Sequence, residues 1–355
     1  MSVPSAQTDR YVHDRLPPRE QWPEFRYDLP ELRIPDQANL VTVLFDAARA
    51  NGWSNRLLLR SPGQTLTYAE TEAQVARIAE MLIRDFKLEP GNRVLLRGGN
   101  SIGMALAWLA VVKAGLIVVP TMPLLRALEL GKVIDKAQPA LALCEVDLLE
   151  DMVLAAQDAR GRLPILAFGD SGRPDGLEQR AARRSPDHAG CATAADDIAL
   201  LAFTSGTTGV PKAVVTTHRD ILAACNTWPR HVLKMTPDDI VAGSPPLAFT
   251  FGTGGLLIYP MWAGASVYYP DVRFSPETMV RKMRDNGITV CYTAPTFYRQ
   301  MAPYAKALGI PSLRICVSAG EALPDATRQL WKDATGNEML DGIGGTEMRH
   351  INNTA

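Results

Sequence analysis

Apolar residues recur at helical spacing from Leu40 to Ala50, and again from Tyr68 to about Phe86, where one face is polar. Both stretches predict amphipathic helices. Between them, Arg56–Arg60 and Gln64–Tyr68 are short apolar runs joined by Pro62-Gly63, a turn signal, and predict two strands. After the turn at Glu89-Pro-Gly-Asn, the pattern predicts a strand over Arg93–Arg97 and a helix over Ser101–Lys113. Further strands are predicted at Leu116–Val119, Leu141–Cys144, Ile165–Phe168, Ile198–Phe203 and Ala213–Thr217. The same reading continues at Ile240–Ala242, Ser266–Tyr269, Thr289–Tyr292, Ile315–Ser318 and Glu338–Leu340. Helical spacing fits Leu256–Ala263, Pro276–Asn286, Pro295–Leu308 and Asp325–Ala334. Strands alternating with helices argue an α/β fold with a largely parallel sheet.

Two regions break the alternation. Residues 1–40 are Pro-rich and charged, with scattered aromatics (Trp22, Phe25, Tyr27), and read as an arm lying on a domain. Residues 171–197 hold few large apolar side chains and read as a solvated surface loop. The basic run Arg180–Arg184 reads as a solvated face or a contact for an anion. The expected division is therefore an arm (1–40), a first α/β subdomain (41–170), the loop (171–197) and a second α/β subdomain (198–355).

Composition narrows the class. The chain has 355 residues, 46% hydrophobic and 21% charged, an ordinary globular mix of one or two domains. Thirty-seven basic residues stand against 38 acidic ones, a formal net charge of −1, which speaks against a dedicated nucleic-acid binder. Five scattered cysteines form no CxxC and no zinc spacing, and read as small buried thiols in a reducing compartment. The polar N-terminus is no secretory signal. The most apolar stretch, Ile102–Pro120, is interrupted by Lys113 and Gly115, so a membrane span is not expected. A cytoplasmic location follows as the expectation.

The chemistry concentrates in Leu200-Leu-Ala-Phe-Thr-Ser-Gly-Thr-Thr-Gly-Val-Pro-Lys212. A buried strand runs into Thr204, Ser205, Gly206, Thr207, Thr208 and Gly209. Two glycines let backbone N–H groups approach an anion, four hydroxyls add donors, and Lys212 adds positive charge. Such a loop suits a polyphosphate; the plain alternative is a Ser/Thr/Gly turn between strands. It is not a P-loop NTPase signature, because GxxxxGK[ST] is absent and a strand follows.

The string TSGTTGVPK resembles the phosphate-loop motif of the adenylate-forming enzymes, the superfamily of acyl-CoA synthetases, luciferase and nonribosomal adenylation domains. Pro246–Gly252, Ser318–Pro324 and Asp341–Glu347 (DGIGGTE) resemble its acid-pocket, adenine-side and magnesium-linked motifs, in the family's order. The resemblance implies two interleaved αβα subdomains with mostly parallel sheets. It also implies ATP, Mg²⁺ and coenzyme A as cofactor and co-substrates, and formation of acyl-AMP and then acyl-CoA. By the same resemblance, Thr204, Lys212, Thr346 and Glu347 carry the chemistry, with Glu347 on the metal. Ser205, Gly206, Thr207, Thr208 and Gly209 would hold phosphates. Gly320, Glu321 and Ala322 would line one side of the adenine, and Asp341, Gly342 and Ile343 the other.

PLAFTFGTGG, DGIGGTEMRH and the arm are similar to the benzoate and 2-aminobenzoate CoA ligase branch. That places Phe249, Thr250, Phe251, Gly252 and His350 around an aromatic acid, with Phe249 gating access; ordinary core packing is the alternative for the two Phe rings. No Asp stands in Ala248–Gly252, which disfavours an α-amino acid. Family members continue past the GxxxTE motif into a small lid domain, whereas this chain ends at Ala355. The resemblance thus implies an incomplete ligase, with the lid domain absent. Competing expectations are a non-catalytic fragment that binds nucleotide or a partner, and a ligase for another carboxylic acid.

Overall fold

The structure is a computed structural model and describes residues 3–157, 163–204, 211–271, 274–348 and 351–354. Its strands are β1 (Leu57–Ser61), β2 (Gln64–Thr67), β3 (Arg93–Arg97), β4 (Ile117–Thr121), β5 (Leu141–Glu145), β6 (Ile165–Phe168) and β7 (Ile198–Thr204). They continue with β8 (Lys212–Thr217), β9 (Ile240–Gly243), β10 (Ser266–Tyr268), β11 (Val290–Thr293), β12 (Ile315–Ala319), β13 (Met339–Gly344) and β14 (Ile351–Thr354). The chain divides into two compact units. One holds Met1–Asp46, Glu72–Gly98 and Leu106–Asn226; the other holds Ala47–Thr71, Gly99–Ala105 and Thr227–Ala355.

The first unit is built on a six-stranded sheet in the order β6-β5-β3-β4-β7-β8. Its pairs are parallel except the β7–β8 hairpin. β3 and β4 are buried along their whole length, as parallel strands covered on both faces must be. Leu95 of β3 and Ile117 and Val119 of β4 join Leu130, Val133 and Ile134 of the helix Ala127–Ala137 in one core cluster. β4 continues through Pro120, where the sequence pattern ends it. Pro120 sits opposite Leu96 of β3, while pairing to β7 is confined to Val118↔Leu200, so the missing N–H costs that ladder nothing.

The arm is held by polar contacts. Gln7 Nε2 donates to the Ile198 carbonyl at 2.7 Å, and Val12 is buried in the core. Asp9 pairs with Arg93, whose guanidinium also donates to the carbonyls of Ala137 and Gln138 at 2.9 and 2.7 Å. Burial pushes the Asp9 carboxyl up, but its hydrogen bonds from Tyr11, Arg93 and Asn92 and the Arg93 charge leave it below its ordinary value.

The second unit carries an eight-stranded sheet in the order β14-β13-β12-β11-β9-β10-β1-β2. Only its two edge pairs, β1–β2 and β13–β14, are antiparallel. Met279, Val280, Met283, Tyr298 and Trp331, from three helices, form its core. Asp239 ties the start of β9 to that of β12 through Arg314 Nε at 2.7 Å.

Both sheets are α/β and mostly parallel, and the expected interleaving is present. The linear boundaries differ from expectation, because β1 pairs with β10 and β7 with β4. Residues 47–71 thus belong with the C-terminal segments, and 198–226, which include the β7–β8 hairpin, with the first unit. Residues 171–197 are likewise no free loop: Leu177–Ala182 is a helix, and Thr193, Ala194 and Ala195 are buried. Small residues pack closely without showing the large-apolar pattern that marks an element. The basic run within it is engaged, since Arg180 and Arg184 both pair with Asp85. All five cysteines are unbridged, and four of them are buried. Among the described residues no helix is long and apolar enough to cross a membrane.

Candidate functional site

In open parallel sheets, ligands bind beyond the carboxyl ends of the strands. In the second unit those ends converge on a cavity of about 290 Å³. Pro245 follows β9, Tyr292 lies near the end of β11, Ala319 and Gly320 close β12, and Gly344, Gly345 and Thr346 leave β13. Phe249, Thr250 and Phe251 come from the segment after β9, and Trp228 and Tyr259 complete the wall.

Local chemistry shapes the segment after β9. Asn100 clamps it, donating to the Pro245 carbonyl at 2.9 Å and accepting from Leu247 N at 2.8 Å. The chain then turns sharply into the helix Thr250–Thr253. A Cβ on Gly252 would lie 2.0 Å from the Pro246 carbonyl oxygen, so only glycine fits there. Thr253 Oγ1 donates back to the Leu247 carbonyl at 2.6 Å. The helix widens into a π-turn at Gly254–Ile258 before Tyr259–Ala263. Such turns insert one extra residue and are frequent at functional sites.

The walls are largely aromatic. Phe251 meets Tyr292 edge-on, with ring centroids 5.7 Å apart, and Phe249 is 43% exposed. Burial pushes the Tyr292 phenol far above its ordinary range, so it stays neutral. The Trp228 indole N–H lies close enough to temper that rise, yet among the described residues neither polar atom meets hydrogen-bond geometry with a partner. Among the described residues no charged side chain lines this cavity.

The residues singled out from sequence do not all come together. Phe249, Thr250, Phe251, Gly320 and Thr346 line the cavity together, with Gly252 buried behind them. Glu321 and Ala322 are exposed, and Glu321 accepts from Thr296 Oγ1 at 2.7 Å. Asp341, Gly342 and Ile343 lie within β13 and do not line the cavity; Ile343 is 67% exposed. β13 runs on to Gly344, four residues beyond the strand end that the pattern predicts at Leu340, and Gly344 and Gly345 line the cavity instead. Glu347 is exposed, with its carboxylate close to Gly345.

In the first unit, Thr204 ends β7 and stands directly across the hairpin from Lys212, which opens β8. Thr204 is half-buried and Lys212 exposed. Ser205, Gly206, Thr207, Thr208, Gly209 and His350 lie outside the described residues. No group of three or more His, Cys, Asp or Glu able to hold a metal occurs among the described residues. A lone exposed carboxylate still fits Mg²⁺, which commonly takes one or two carboxylates and completes its shell with phosphates and water.

Sequence reasoning passed over Trp228, Pro245, Tyr259, Tyr292, Ala319 and Asn100. For Tyr292 a signal existed: it stands at the C-terminal end of an apolar run in an alternating α/β pattern. The sheet order that makes this end face the cavity is not local.

The family profile described as AMP-binding enzyme matches residues 46–354. The 4-hydroxybenzoate–CoA/benzoate–CoA ligase of Rhodopseudomonas palustris is 30% identical over 318 residues, covering 88% of this chain and 58% of that protein. The anthranilate–CoA ligase of Pseudomonas aeruginosa is 30% identical over 320 residues, covering 88% and 59%. The crystal structure of the anthranilate CoA ligase AuaEII in complex with anthranoyl-AMP superposes with a TM-score of 0.82 at 28% identity, over 92% of this chain and 62% of that one. The chain thus spans about three fifths of the length of the curated relatives it matches.

Proposed function

The chain belongs to the AMP-binding enzyme family, and on that footing we propose that it serves the ATP-dependent activation of an aromatic carboxylic acid, of benzoate or 2-aminobenzoate type, to acyl-AMP and then acyl-CoA. The observation that carries this reading is one cavity walled both by Phe249 and Phe251 and by Gly320, Gly345 and Thr346. An acid-pocket segment and two nucleotide motifs therefore meet where an acyl-adenylate would have to sit.

The roles follow from charge and position. In phosphoryl and nucleotidyl transfer the protein chiefly positions reactants and offsets developing charge. Thr346, which lines the cavity, is assigned the α-phosphate in this reading. Thr204 and Lys212, paired across the hairpin mouth, serve the polyphosphate with the loop between them. Glu347 is the carboxylate for Mg²⁺, which when bound supplies charge neutralisation on the phosphates. The aromatic, uncharged wall suits a planar ring and offers an ammonium no counter-charge, which argues against an α-amino acid.

The test is equilibrium binding to the 355-residue chain of non-hydrolysable acyl-adenylate mimics, 5′-O-(N-acylsulfamoyl)adenosines, followed by calorimetry. The benzoyl and 2-aminobenzoyl compounds are expected to bind more tightly than the hexanoyl one, and ATP with Mg²⁺ to compete with all three. A hexanoyl mimic that outranks both aromatic ones overturns the aromatic assignment.

A further inference from the structure

The π-turn carries two consecutive glycines, and each faces an aromatic ring of the cavity wall. A Cβ on Gly254 would lie 2.8 and 2.9 Å from Cε2 and Cζ of Tyr259. One on Gly255 would lie 2.7, 2.8 and 3.0 Å from Cε1, Cδ1 and Cγ of Tyr292. The shortest of these separations fall under 3.0 Å, which real Cβ atoms essentially never show, so a side chain at either position forces a shift, and the atoms it meets are those of the ring. The neighbouring Gly252 differs in kind, because its obstacle is backbone and cannot give.

A displaced ring has one direction open to it. Tyr292 is 1% exposed, is packed against Phe251 and is fixed at its backbone between β9 and β12. Tyr259 is 4% exposed. Interiors are close-packed, so the free volume beside both rings is the cavity they line. The Tyr292 hydroxyl meets no hydrogen-bond partner among the described residues, so the ring's position rests on its packing against Phe251 and on the space Gly255 leaves.

We propose that Gly254 and Gly255 set the width of the acid cavity by letting Tyr259 and Tyr292 retract against the π-turn, and so admit a planar ring. They are specificity determinants for the substrate class, and this inference rests on the function proposed above. A methyl group at Gly255 moves the Tyr292 ring into the cavity, leaving space for a short aliphatic acyl group but not for an arene. Shortening Tyr292 does the reverse and admits a larger ring system.

The experiment uses the whole chain and three probes: the benzoyl, propionyl and 2-naphthoyl sulfamoyladenosines. Gly255→Ala is expected to weaken benzoyl binding by about tenfold or more while propionyl binding changes by less than about threefold. The double variant Gly255→Ala/Tyr292→Val is expected to recover benzoyl binding. Tyr292→Val alone is expected to gain affinity for the naphthoyl probe over the unaltered chain. Circular dichroism and a melting curve establish that each variant is folded. A folded Gly255→Ala with an unchanged benzoyl-to-propionyl ratio refutes the inference and leaves the proposed function standing. If Gly255→Ala does not fold, Tyr292→Val decides, and no naphthoyl gain refutes it equally. Failure of every probe to bind the unaltered chain removes the proposed function and this inference with it.

Discussion

His218 shows how a single side chain takes its role from the fold. It opens the helix His218–Cys225 and is completely buried. Its Nδ1 accepts from the Leu40 N–H at 3.1 Å, so the proton of the neutral ring sits on Nε2, which meets no partner among the described residues. Burial lowers its pKa from 6.5 to about 3. The unfolded chain therefore binds a proton between those values that the folded chain refuses. The stability His218 permits is complete above about pH 6.5 and declines as pH falls toward 3, by at most about 1.4 kcal/mol per pH unit. Urea midpoints at pH 7 and pH 5 should differ by an amount equivalent to about 2 kcal/mol more in the unaltered protein than in His218→Gln. Parallel pH profiles for the two proteins would contradict this. Nothing near His218 in sequence marks it, because its partner lies 178 residues away.

At the scale of elements, the β7–β8 hairpin is anchored where β8 ends. Thr217 caps the following helix: its Oγ1 accepts from Asp220 N at 3.2 Å, and its own N–H donates to Asp220 Oδ2 at 2.9 Å. Thr217→Ala should cost about 1 kcal/mol, and Thr217→Ser should restore most of it, as read from urea midpoints. A loss within error for Thr217→Ala would mean that β8 pairing alone fixes the helix start. This scale is also where the sequence is most legible. The helices Tyr68–Phe86 and Pro295–Leu308 begin and end where their periodicity does, since each buries one face only. The strand β13 runs through the Asp341–Gly344 glycines because β14 pairs with it, a contact no local pattern announces. The same distinction separates the site residues. Phe249, Phe251 and Thr346 stand in motifs with their own chemistry, whereas Trp228, Tyr292 and Asn100 acquire a place only when β13-β12-β11-β9 line up.

For the whole molecule, the interleaving of segments governs which pieces can fold. β7 and β8 complete the first sheet, although almost 80 residues separate β4 from β7 in the chain. A fragment of residues 1–197 lacks both strands and leaves β4, buried along its entire length, as an open edge. An exposed apolar edge of that kind pairs with other chains rather than with water. A fragment of residues 1–226 keeps all six strands of that sheet and the helix His218–Cys225. Its cost is the stranded pair β1 and β2, which belong to the second unit together with β10, the partner of β1, absent from this fragment. The 1–226 fragment is therefore expected to give a cooperative urea transition by far-UV circular dichroism, at a lower midpoint than the whole chain. The 1–197 fragment is expected to aggregate or unfold without a cooperative step. A cooperative transition for 1–197 equal to that of 1–226 would show that β7 and β8 are dispensable, and that the boundary expected at residue 198 describes folding better than the sheet order does.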